Sequence, residues 1–215
     1  MTLSILVDQL RVRLLQPLPG KEIQLSLLSK DGLLDYKATV KSYEGLSALE
    51  SRQSSVLILL YEKEGSIFCP LIKRQEYDGV HSGQISFPGG KVEEGDVDFV
   101  ATALREAFEE IGIPSEQVTA LGMLTPVYIP PSRFWVNVVL AYTNDVPDFI
   151  PDAYEVAAVI ELPLNHLEDE LAIEERSIPM TSSINRKVSG YRYEDYFIWG
   201  ATSMILTELR SLLRP

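Results

Sequence analysis

Between Gly89 and Gly112 the chain reads GGKVEEGDVDFVATALREAFEEIG, and the fold is decided there. Gln84 to Phe87 is a short strand candidate that runs into Pro88-Gly89-Gly90; then Asp96 or Asp98 caps a helix that continues to Ile111 and stops at Gly112. In Arg105-Glu106-Ala107-Phe108-Glu109-Glu110-Ile111, a helical step of about 100° gathers Glu106, Glu109 and Glu110 within one arc of roughly 100°. Val100, Leu104, Phe108 and Ile111 fall opposite, so the expectation is a helix packed on a sheet by that face with its acids turned outward.

Such an arrangement works against stability. Like charges at i,i+3 and i,i+4 each cost about 0.2–0.5 kcal/mol, and acids in a last turn oppose the helix macrodipole. A solvated face on an acidic protein is the plain alternative. The Gly-Gly loop at the other end of the helix shifts the balance, because glycine lets a bare carbonyl come close to whatever the acids bind. Carboxylates and a carbonyl are hard oxygen donors suited to Mg²⁺ or Mn²⁺. Zinc would call for His or Cys, of which the chain has only His81, His166 and Cys69.

Working outward, Val56–Tyr61 and Ile67–Lys73 are strand-like runs around Glu64-Gly65, the pattern of a hairpin. Ala120–Tyr128, Phe134–Tyr142, Val156–Leu162 and Tyr191–Trp199 also read as strands, and Ala201–Leu213 as a last amphipathic helix. Leu3, Leu6, Leu10 and Leu14 recur at helical spacing before Pro17, whereas residues 21–50 show weak periodicity and are expected to be loop-rich. The expected organisation is therefore a helix and loop-rich extension over 1–50 and a main α/β domain over 51–215, its mixed sheet covered by helices on both faces.

With 19 Lys+Arg against 31 Asp+Glu, the formal charge of -12 repels nucleic acid and anionic membrane, so an anionic ligand must be met by local cations or backbone N–H groups. The longest apolar runs fall far short of the roughly 20 residues of a bilayer helix, and the first residues do not read as a signal peptide. A single cysteine excludes an intrachain disulfide. The expectation is a cytoplasmic protein without nucleic-acid or membrane partners; a homodimer is compatible with it.

Gly90, Asp96 and Arg105 to Ile113 resemble the box of the Nudix hydrolases, G-x5-E-x7-R-E-U-x-E-E-x-G-U with U a bulky apolar residue. The copy departs from it at Asp96 in place of Glu, at one extra residue before Arg105, and at the small Ala107. The insertion resembles the coenzyme A diphosphatase branch, and Leu71 to Arg74 with His81 to Gly90 is similar to that branch's upstream signature, L-L-T-K-R-S-x-x-L-R-x-H-x-G-E-V-x-F-P-G-G. Ile72, Gln75, Asp78 and Gly79 depart from the signature, and Gly79 replaces an expected cation. Tyr196 to Thr202 resembles the closing strand and helix start of these enzymes.

The resemblance implies a Nudix-type α/β/α sandwich and a metal-dependent hydrolase of a nucleotide-derived small molecule. Its metal, Mg²⁺ or Mn²⁺, would be held by Glu106, Glu109, Glu110 and the Gly89 carbonyl. Glu106 would be the catalytic base and Arg105 would orient the acids, while Lys73, Arg74 and His81 would meet substrate. Glu155 would be the extra acid that many family members place near the metal. Coenzyme A or its thioesters lead as substrates; ADP-ribose or another nucleoside diphosphate conjugate is the alternative within enzymes. Outside enzymes the competing class is a module that binds nucleotide without cutting it. Tyr128, Phe134 and Trp135 flank a Pro-rich turn, where they fit either core packing or contact with an adenine or pantetheine group.

Overall fold

The computed structural model describes residues 1–42, 52–76, 83–130, 132–179 and 185–214. Its centre is a seven-stranded mixed sheet of β1 (Arg52–Lys63), β2 (Ser66–Arg74), β3 (Ile85–Ser86), β4 (Gly89–Lys91), β5 (Thr119–Ile129), β6 (Phe134–Tyr142) and β7 (Val156–Pro163). The long β1 organises it. Along one edge β1 pairs parallel with β6; along the other its start meets β4 and its end meets β2, both antiparallel. A second, antiparallel sheet follows, of β8 (Ile173–Pro179), β9 (Asn185–Tyr193) and β10 (Tyr196–Trp199).

The period of two along β1 sorts its side chains between two cores. Ile58 and Leu60 point to the side of α1 (Leu3–Leu14) and α5 (Ala201–Leu213), joining Leu6, Leu10, Val138, Leu140 and Leu209. Leu57 and Leu59 point to the side of α4 (Phe99–Ile111), joining Ala103, Ala107, Ile111, Val139 and Ala141. Helices thus cover both faces, the sandwich that was expected.

Residues 21–50 correct the expectation of a loop: α2 (Gly20–Ser26) and α3 (Lys30–Ser42) lie there, with 43–50 outside the described residues. The apolar period is weak because α2 is anchored by a polar bond. Its buried Gln24 donates to Glu208 Oε2 at 2.8 Å, and that carboxylate, fully buried in α5, also accepts from the Gly20 and Thr125 backbone N–H groups and the Thr125 hydroxyl. Tyr191–Trp199 is not one strand but the hairpin β9–β10, turning at Glu194 with φ 51°. The charged strand β8 has no apolar alternation and was not expected. Among the described residues no helix is long and apolar enough to cross a membrane.

Candidate active site

The acidic helix starts where Asp98 accepts the Ala101 N–H and ends at Gly112, whose left-handed φ of 73° closes it. Its seating differs from the expected one. Phe108 is 59% exposed, while Ala103, Ala107 and Ile111 are fully buried and Glu110 is 1% exposed. The small alanines let the helix backbone approach the sheet closely, which rotates Glu110 down to the β4 loop and leaves no room beneath for Phe108. The acids are therefore graded, with Glu110 buried, Glu106 at the rim and Glu109 more than half exposed.

Adjacent glycines make this seating feasible. The Gly89 N–H donates to Glu110 Oε2 at 2.7 Å. At Gly89 φ is 154°, and a Cβ would lie 2.3 Å from the Ser55 carbonyl oxygen. At Gly90 a Cβ would lie 2.4–2.5 Å from the carboxyl atoms of Glu106. Burial pushes the Glu110 carboxyl up to about 7, against the downward pull of the Arg74 guanidinium and the Gly89 N–H. Burial also raises Glu106, opposed by Arg105.

Arg105 is the hub of the exposed side. Its guanidinium donates to both carboxylate oxygens of Asp96 at 3.1 Å, to the Lys91 carbonyl at 2.9 Å, to Glu106 at 3.0 Å and to Glu109 at 2.9 Å. The expected i,i+4 pair with Glu109 is present, and the role of Asp96 is new. The Arg105 fork holds the Asp96 carboxyl well below the usual carboxylate range, with help from the Glu93 N–H and the Thr102 hydroxyl. Sequence spacing gave no sign of that pairing, which depends on the loop folding back nine residues.

The expected substrate cations part company. Arg74, on the same sheet face as Ile72, lies 3.3 Å from Glu110 and 3.9 Å from Glu155, and so brings Glu155 to the acid cluster. Lys73 pairs in register with Ile85 of the other core and so takes the opposite face. His81, with Asp78 and Gly79, lies outside the described residues. Trp135 and Tyr128 are neighbours in register with rings 5.2 Å apart, and Lys21 Nζ stands 5.2 Å from the Trp135 ring centroid.

Among the described residues no three His, Cys, Asp or Glu side chains already stand together as a metal-ligand set. Glu110 is turned to Gly89 and Arg74, while Glu106 and Glu109 share Arg105. The residues nevertheless fit a hard divalent cation: every donor is oxygen, and Glu106 occupies a cradle that a Cβ at Gly90 would fill. The Ser55 hydroxyl, in register with Gly90, is also buried without a partner.

A mixed sheet between helices, with a three-acid helix docked on a Gly-Gly strand, is the arrangement the resemblance implies for a hydrolase of phosphoric anhydrides. The NUDIX domain family matches residues 51–181, and the chain belongs to the Nudix hydrolases, enzymes that act on pyrophosphate bonds of nucleoside diphosphate substrates and generally use divalent metal ions. It is 35% identical over 187 residues to an uncharacterized Nudix hydrolase NudL of Enterobacter sp. (strain 638), covering 85% of this chain and 93% of that one. Another NudL so described, of Cronobacter sakazakii (strain ATCC BAA-894), is 35% identical over 190 residues, covering 86% and 94%. Among solved structures, a MutT/nudix family protein from Enterococcus faecalis shares the fold, with a TM-score of 0.51 and 18% identity over 86% of this chain and 74% of that one.

Proposed function

We propose that this protein hydrolyses the diphosphate linkage of coenzyme A or its thioesters, giving 3′,5′-ADP and (acyl-)4′-phosphopantetheine, with Mg²⁺ or Mn²⁺ as cofactor. The observation that carries this reading is the graded acid arc on Gly89-Gly90, in a chain whose box has the one-residue insertion and whose upstream stretch from Leu71 to Gly90 resembles the coenzyme A signature.

Glu106, Glu109, Glu110 and the Gly89 carbonyl would hold the cation. A divalent ion there supplies neutralisation of the diphosphate, activation of water and stabilisation of the leaving phosphate. Arg105, clamped by Asp96 and the Lys91 carbonyl, keeps Glu106 and Glu109 oriented. Glu106 takes the proton of the attacking water in this assignment, its affinity for a proton raised by burial and restrained by Arg105. Glu155, coupled to the cluster through Arg74, is the other acid in reach. Arg74 is the cation assigned to the substrate diphosphate; Lys73 faces away from α4.

Side-by-side kcat/KM values for coenzyme A, dephospho-coenzyme A and ADP-ribose, with Mg²⁺ and with Mn²⁺, test the reading. Coenzyme A is expected to be cleaved faster than ADP-ribose. Its advantage over the dephospho form is expected to be modest, because Gly79 stands where the signature has Arg, and an exposed charge contact is worth on the order of 1 kcal/mol. Faster cleavage of ADP-ribose sinks the coenzyme A assignment. Nucleotide binding without turnover points to a non-catalytic module.

A further inference from the structure

We propose that Asn137 and Gln53 form a specificity element that reads a paired donor–acceptor edge of the substrate, the amino edge of an adenine. The inference rests on the nucleotide-diphosphate reading above and goes beyond it by naming residues outside the acid cluster.

On the α4 side of β1 and β6, the register pairs Leu59–Ala141 and Leu57–Val139 are apolar, and the face then changes character to Ser55–Asn137 and Gln53–Trp135. The row through Ser55 continues across β1 to Gly90, over which the Glu106 carboxylate lies. Two strand spacings, about 10 Å, therefore separate Asn137 from the Gly90 backbone. A polar row inside an otherwise apolar face asks for an explanation.

Hydrogen bonding fixes the polarity of the pair. Asn137 Nδ2 donates to the Ser54 carbonyl at 3.0 Å and to Gln53 Oε1 at 3.1 Å, using both of its hydrogens. A carbonyl only accepts, so the Asn137 nitrogen must face Ser54; Gln53 must then offer its oxygen to Asn137. Two groups remain, the acceptor Asn137 Oδ1 and the donor Gln53 Nε2, with no partner among the described residues. Asn137 is only 8% exposed, and in the same row the fully buried Ser55 hydroxyl is also unpartnered.

An acceptor beside a donor complements a ligand edge with one N–H and one lone pair on the same side, as at N6 and N1 or N7 of adenine; the trans amides of a pantetheine arm point N–H and C=O to opposite sides and do not match it. A phosphate carries acceptors and cannot satisfy Asn137 Oδ1. The pair is thus matched to the adenine, leaving the phosphates to the cation site.

The test uses Gln53→Met, which removes the Nε2 donor, and Gln53→Glu, which keeps an acceptor for Asn137 and so preserves the internal bond if the first variant folds poorly. Calorimetric binding of AMP and of 4′-phosphopantetheine is measured on the metal-free proteins, with KM and kcat for coenzyme A on the Mg²⁺-loaded ones. Gln53→Met is expected to weaken AMP about tenfold or more and leave 4′-phosphopantetheine within about twofold. KM should rise more than kcat falls. Loss of AMP binding with phosphopantetheine binding retained is the expected result; loss of phosphopantetheine binding with AMP binding retained overturns the proposal. Gln53→Glu adds a charge felt by both phosphates, so there the ratio of the two affinities is read. Unchanged affinities in Gln53→Met, an unchanged ratio in Gln53→Glu, or a wild-type protein that binds neither ligand overturns the proposal. Absence of diphosphate turnover in the wild type, with the binding differences intact, overturns the function reading alone.

Discussion

Gly89 and Gly90 are adjacent, yet an added methyl group should do opposite things at the two positions. At Gly89 a Cβ meets backbone, 2.3 Å from the Ser55 carbonyl oxygen and 2.6 Å from Val56 Cα, at a φ of 154° that side chains rarely adopt. Backbone in the middle of a sheet cannot yield cheaply. Overpacking of about 1–3 kcal/mol plus roughly 1–3 kcal/mol of backbone strain is expected for Gly89→Ala. At Gly90 the obstruction is only the end of the Glu106 side chain, at 2.4–2.5 Å. That carboxylate can swing away by about 1 Å at little cost in stability, but a 1 Å misplacement of a reacting group is worth on the order of a hundredfold in rate. Gly90→Ala should therefore melt within a few degrees of wild type and lose about two orders of magnitude in kcat with Mg²⁺. Gly89→Ala should melt many degrees lower. Thermal denaturation followed by fluorescence, together with turnover of coenzyme A and ADP-ribose, reads both effects. A Gly90→Ala enzyme with wild-type turnover would falsify the placement of Glu106 in the reaction, and an unshifted melting temperature for Gly89→Ala would refute the close packing of β4 on β1.

Glu110→Gln keeps the volume and an oxygen for the Gly89 N–H but removes a charge; hydrolysis should fall by at least about a hundredfold while the circular dichroism spectrum is unchanged, and near-normal turnover at saturating Mg²⁺ would move the metal assignment to other acids. Burial pushes the Cys69 thiol up to about 12, so a thiol reagent at pH 8 should label the protein only on denaturation. The same shift implies that folding stability falls as pH rises above about 9, since the unfolded thiol ionises there and the folded one does not; a pH-independent denaturant midpoint between 9 and 11 would contradict this. Glu208→Ala strands the Gln24 amide and the Gly20 and Thr125 donors, and should cost roughly 3 kcal/mol or more, with faster hydrogen exchange in α2 before any change at α4.

Much of this protein is legible locally. The span Leu3–Leu14 of α1 and the span Ala201–Leu213 of α5 follow from apolar period, the strand Phe134–Tyr142 from a near-continuous apolar run after a Pro-rich turn, and the stop of α4 at Gly112 from glycine's access to positive φ. These are nearest-neighbour effects that the order of residues determines. The acid arc belongs with them, because the rotation between Glu106, Glu109 and Glu110 is set by helical pitch once a helix forms. What lies beyond is decided by which surfaces meet. Helical pitch says nothing of how α4 rolls on the sheet, and the choice of Ala103 and Ala107 over Phe108 as its buried seam turned Glu110 from an outward acid into a buried one. The separation of Lys73 from Arg74 onto opposite faces is alternation along a strand, but which face carries the acids is settled only when α4 docks. Helix α2 escaped notice because its anchor, Glu208, is 184 residues from Gln24, and a buried polar bond leaves no period in either segment. Asp96 on Arg105, Glu155 at Arg74 and Gln53 on Asn137 are likewise contacts between distant points of the chain, specified by packing and closed by geometry that no single stretch contains.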